Sequence, residues 1–90
     1  MHAEGKFQLR AEALEWREVE GQIVALDLRA SRYFSVNRTG AAVWPALVAG
    51  ANRDELCRTL TEEFGIVRKI AERDLDSFLT SLSERELLES

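Results

Sequence analysis

The chain has 90 residues, 46% hydrophobic and 31% charged, with sixteen acidic residues against twelve lysines and arginines and a formal net charge of -4. That length allows one domain with a modest core, and the apolar content is too high for a disordered chain. The acidic balance gives no general support for binding phosphate backbones or anionic membranes, and no stretch approaches the roughly 20 apolar residues of a membrane span.

In chain order, residues 1–12 are expected as a flexible N-terminal segment and residues 13–90 as a single domain. "ALEWREVEGQIVALDLRASRYFSV" alternates and is rich in Val, Ile, Leu and aromatics, which predicts three antiparallel strands over about Leu14–Val19, Gln22–Leu28 and Tyr33–Val36. Glu20-Gly21 is a hairpin signal because Gly tolerates positive φ; the turn through Arg29 to Arg32 is longer. Consecutive hairpins make a meander, with the first and third strands at its edges.

After Asn37 the period becomes helical. Asn37 or Thr39 caps a first helix reaching about Val48, with Ala42, Val43, Ala46 and Leu47 on its apolar face and Trp44 filling a corner between helix and sheet. Pro45 lies inside it and predicts a kink or early end. A second helix begins at Asn52, with Glu55 completing a capping box, and stops at Gly65. A third starts between Arg68 and Ala71 and runs to about Ser83, carrying Ala71, Leu75, Phe78, Leu79 and Leu82. Leu87 and Leu88 extend it or tuck its end against the sheet. The fold expected is α+β, a three-stranded antiparallel sheet followed by three helices, as in winged helix-turn-helix domains.

Groups for catalysis are few. His2, the only histidine, stands at a terminus, and a general base must be held in place. Cys57 sits on an apolar helical face and reads as a buried structural thiol; one cysteine forms no intramolecular disulfide, which fits a reducing cytoplasm. The carboxylates fall on solvated faces, and neither a phosphate loop nor a metal-ligating cluster is present. No enzyme activity, cofactor or metal is expected. A winged-helix DNA-binding or regulatory domain is the alternative, with Arg68, Lys69 and Arg73 opening its recognition helix. Glu72, Asp74 and Asp76 are interleaved with them, so a mixed-charge solvated face is the better reading and no nucleic-acid partner is expected.

A third reading concerns the edge of the sheet. "YFSVN" carries no charge, Pro or bulge signal between Tyr33 and Val36, so a peptide can add a strand there. Alternation puts Phe34 and Val36 on one face, as core or contact, and Tyr33 and Ser35 on the other. If the third helix lies beside this strand, the gap is a groove with an apolar floor. Lys69, Arg73, Asp76 and Thr80 form one flank of the helix stripe, and Asp74, Ser77, Ser81 and Arg85 form the other. Periodicity leaves open which flank faces the groove. Arg73 or Lys69 would pair with a peptide carboxylate, Asp76 would accept a donor, and small Ser77 and Ser81 permit close approach.

"WREVEGQIVALDLRASRYFSVNRTGAAVW", followed by an amphipathic helix pair ending in "LTSLSERELLES", resembles the PqqD-like family, the recognition element for precursors of ribosomally synthesised, modified peptides. Within it the chain is most similar to the freestanding leader-binding proteins of lasso peptide biosynthesis. The resemblance implies a non-catalytic adaptor. It would bind the precursor's leader as a strand added to the third strand beside the third helix, and deliver it to a separate cysteine leader peptidase, with an ATP-dependent cyclase acting afterwards. Carried onto this sequence, the leader-binding residues are Tyr33, Phe34, Ser35 and Val36 on the strand and Lys69, Arg73, Asp76, Ser77 and Thr80 on the helix.

Overall fold

The structure is a computed structural model that describes residues 5–89; His2 lies outside them. Strands β1 (Leu14–Val19), β2 (Gln22–Asp27) and β3 (Arg32–Val36) form an antiparallel meander in the order β1-β2-β3. The first turn is two residues long, and both adopt positive φ, 53° at Glu20 and 80° at Gly21. That combination is the primed hairpin turn whose twist matches the strands, and Asn is far better suited than Glu to its first position. Glu20→Asn is expected to raise the unfolding free energy by about 0.5–1 kcal/mol, measured by urea denaturation.

The second turn depends on a buried carboxylate. Asp27 is 5% exposed and accepts hydrogen bonds from the backbone N–H groups of Arg29 and Ala30, each at 3.1 Å. Leu28, expected in the strand, instead donates its N–H to the Ala13 carbonyl at 3.0 Å. Strand β2 therefore ends at Asp27, and β3 starts one residue earlier than expected, at Arg32 opposite Asp27.

Helices α1 (Arg38–Ala49), α2 (Arg53–Phe64) and α3 (Arg68–Glu84) pack on one face of the sheet. Asn37 caps α1 by accepting from the Gly40 N–H at 2.8 Å. Asn52 and Glu55 complete the expected capping box of α2, and Gly65 ends that helix in the left-handed region. Pro45 neither ends nor shortens α1, which continues four residues past it. The proline removes one helical donor, a local cost, while Val43, Trp44 and Leu47 on either side of it are all wholly buried. Packing on both sides outweighs the missing bond. The Trp44 ring meets Trp16 edge-on at 5.9 Å and Phe78 at 6.5 Å, and so fills the expected corner.

The ends of the chain are tied together. At the close of α3, Glu86 takes φ 60°, Leu87 N–H reaches back to the Leu82 carbonyl and Glu86 N–H to that of Ser83, the paired bonds of a Schellman motif. Leu87 turns into the core with no exposure, while Leu88 forms a bridge with Leu9. Phe7 exchanges both backbone bonds with Ala51, at 2.7 and 3.0 Å. Residues 7–10 thus run as a tie between the end of α1 and the C-terminal tail. Sequence alternation alone does not show this, because the partners are single bridges instead of a strand.

Candidate functional site

The site follows from which backbone groups the sheet leaves unused. A two-residue turn makes Val19 and Gln22 a hydrogen-bonded pair, and pairing alternates along an antiparallel ladder. With the observed register, Gln22, Val24 and Leu26 bond to β1, and Ile23, Ala25 and Asp27 bond to Val36, Phe34 and Arg32. The N–H and C=O groups of Tyr33 and Ser35 consequently point outward from the edge of β3.

That edge borders α3. Phe34, Ser35 and Asn37 on one side and Ser77, Phe78, Ser81, Leu82 and Arg85 on the other line a groove of about 260 Å3. Its floor is apolar: Phe78 and Leu82 are nearly inaccessible and Phe34 is half-buried. Gly40 lets this floor form. A Cβ there would fall well inside contact with the Phe78 ring and 2.5 Å from Val36 Cγ1, so only a glycine allows the first turn of α1 to rest against both. At the far end of the groove the Arg85 guanidinium lies over the Phe34 ring, 4.5 Å from its centroid.

The geometry decides between the two flanks of α3. Ser77, Ser81 and Arg85 face β3, whereas Asp76 faces α2, where Arg53 grips it at 2.8 and 2.9 Å. Thr80 borders a separate depression with Phe7, Leu79 and Leu88. Arg73 is exposed, 3.6 Å from Asp74, and neither it nor Lys69 lines the groove. On the strand, Phe34 and Ser35 line the groove, Val36 is 8% exposed and belongs to the core, and Tyr33 is 74% exposed on the outer sheet face beside Val24 and Leu26. Of the nine residues expected, the structure brings Phe34, Ser35 and Ser77 into the groove itself, with Val36 supporting them. The nine expected residues do not include Phe78, Leu82 or Asn37, nor Ser81 and Arg85, which the sequence reading placed with Ser77 on one of the two flanks it left open. The phase of α3 is set by its buried stripe of Ala71, Leu75, Phe78, Leu79 and Leu82; which flank then meets β3 and which meets α2 is decided by tertiary packing and has no local signature.

Electrostatics also bear on the alternatives. Arg68, expected at the front of a recognition helix, bonds to Asp54 at 2.9 Å and Glu72 at 3.0 Å. Arg68 and then Arg58 hold the Asp54 carboxyl below its ordinary range, so these charges are already matched within the protein. Cys57 is buried, and desolvation raises its thiol above the usual range, the opposite of an activated nucleophile. Among the described residues no group of three or more His, Cys, Asp or Glu is placed to hold a metal, and no helix is long and apolar enough to cross a membrane.

The architecture is a three-stranded meander backed by three helices, with an open sheet edge beside the last of them. Residues 22–88 match the family described as coenzyme PQQ synthesis protein D, and the chain belongs to this PqqD family. Among solved structures it is similar to TbiB1 in complex with the TbiA(beta) leader peptide, with a TM-score of 0.82 and 29% identity over 92% of this chain and 95% of that one. It is also similar to a lasso peptide synthetase B1 complexed with the leader peptide, with a TM-score of 0.80 and 29% identity over 96% of this chain and all of that one. No curated protein matches the sequence.

Proposed function

We propose that this protein is a leader-binding adaptor of lasso peptide biosynthesis. The observation that carries the reading is the open edge of β3 bordering an apolar-floored groove, in a chain similar to two proteins whose structures hold leader peptides. The leader of a precursor peptide adds a strand through the outward groups of Tyr33 and Ser35, and its inward side chains rest on Phe34, Phe78 and Leu82. The protein makes and breaks no bond. It raises the local concentration of the precursor at a separate cysteine leader peptidase, and the ATP-dependent cyclase is an indirect partner that acts afterwards. The setting is the cytoplasm, consistent with a single cysteine that is buried.

Filling the groove tests this. Ser77 and Ser81 are exposed residues of a helix face, so Ser77→Arg with Ser81→Tyr leaves the core untouched. Affinity for the leader of its cognate precursor peptide is expected to fall by at least about tenfold, as measured by fluorescence anisotropy. Leader removal by the cognate peptidase should slow correspondingly. Unchanged affinity with a native circular dichroism spectrum would place the leader elsewhere.

A further inference from the structure

The groove has one ionisable lining residue, Arg85, among neutral Phe34, Ser35, Asn37, Ser77, Ser81 and Leu82. The protein carries sixteen acidic residues, and Arg29, Arg53, Arg58, Arg68 and Arg73 each have a carboxylate within ion-pair range. Arg85, like Arg10, Arg17, Arg32 and Arg38, has none among the described residues, and of these it is the one that lines the groove. Its sequence neighbour Glu86 is turned away to Arg29. Arg85 is held instead over the Phe34 ring, a contact that stabilises the cation while supplying no hydrogen-bond acceptor for its fork of N–H donors. At the other end of the groove, α1 begins behind Asn37 with no acidic residue in its first turn, so its N-terminal dipole adds positive potential. A small positive site with an apolar floor is thus set into the surface of an acidic protein.

We infer that Arg85 reads a carboxylate: the segment that fills the β3–α3 groove carries an Asp or Glu that the Arg85 guanidinium takes in two-point contact, beside an apolar side chain seated on Phe34 and Phe78. This rests on the peptide-docking reading above and adds the chemistry of the ligand to it. The Phe34 ring fixes the guanidinium before the ligand arrives, so less side-chain freedom is lost on binding, and a planar acceptor matches its donors better than a single point charge would. The surrounding negative charge disfavours acidic peptides in general. Selectivity then lies in one position and not in overall charge.

The test uses the full chain and a phage-displayed library of random 12-residue peptides. Peptides selected on the wild-type protein are synthesised and placed by amide chemical shifts. Expected are groove binders, shifting Ser35, Ser77 and Ser81, that share an Asp or Glu at fixed spacing from an apolar residue. Changing that acid to its amide should weaken binding to the wild type by about tenfold and binding to Arg85→Gln by less than about twofold, with Arg85→Lys between the two. Groove binders without a shared acid, or an amide penalty equal in wild type and Arg85→Gln, overturn the inference and leave the peptide dock standing. Selected peptides that shift none of the three serines overturn both.

Discussion

Deleting residues 1–12 is expected to lower the unfolding free energy by about 3 kcal/mol and to shift the urea midpoint accordingly. A domain of this size holds roughly 5–13 kcal/mol in total, so the loss is a large share. Leu9 is 6% exposed, and burying such a side chain contributes about 2–3 kcal/mol. The backbone bonds of Phe7 to Ala51, Leu9 to Leu47, Arg10 to Leu87 and Glu89 to Gln8 add about 1 kcal/mol each, largely offset by the entropy of ordering the segment. Their removal also uncovers Leu87, which has no exposure in the intact fold. Leu9→Asp should reproduce most of the effect within the full-length chain. A truncated protein as stable as the intact one would show that the N-terminal tie contributes nothing.

Gly40→Ala is expected to destabilise the protein and weaken leader binding together. Even in the first turn of α1, alanine would gain up to about 1 kcal/mol over glycine, which on its own would make the variant more stable. The new methyl overlaps Phe78 and Val36, and overpacking costs about 1–3 kcal/mol. Because the nearest contacts of the new methyl all fall under 3.0 Å, the cost lies toward the upper end of that range, and the net loss should be about 1–2 kcal/mol by denaturation. Relief of the overlap pushes the Phe78 ring toward the groove it floors, so leader affinity should fall by several-fold. Phe78→Leu, which makes room, should combine with Gly40→Ala at less than the sum of the two penalties, since residues in contact couple. Additive penalties would mean that the two side chains do not compete for this space.

The sheet and the two later helices were legible because each rests on local chemistry. Glu20-Gly21 marks a turn, Asn52 with Glu55 marks a helix start, and Gly65 marks a stop, and all three act where the sequence puts them. Pro45 did not bring the early end it suggested because its cost is local, whereas the burial of Val43, Trp44 and Leu47 that outweighs it is tertiary. The tie through Phe7 and Leu9 was hidden for a similar reason, as single bridges leave no alternation to read. In the site, the strand edge was legible from the absence of charge in "YFSVN". The helix side was not, since helical phase gives two flanks and the choice between them depends on how α2 and β3 pack on either side of α3's buried stripe. With that stripe buried, Asp76 falls on the α2 side, where it meets Arg53, and Ser77, Ser81 and Arg85 fall on the groove side.

Amide hydrogen exchange resolved by residue, with and without the leader peptide, tests strand addition most directly. Because Phe34 and Val36 already bond to β2 in the observed register, the account predicts that the leader slows exchange chiefly at Tyr33 and Ser35, the two amides facing outward. Chemical shifts at Ser77, Ser81 and Arg85 should move in the same titration. A leader that binds with those three perturbed but leaves Tyr33 and Ser35 exchanging at their free rates would contradict pairing to β3.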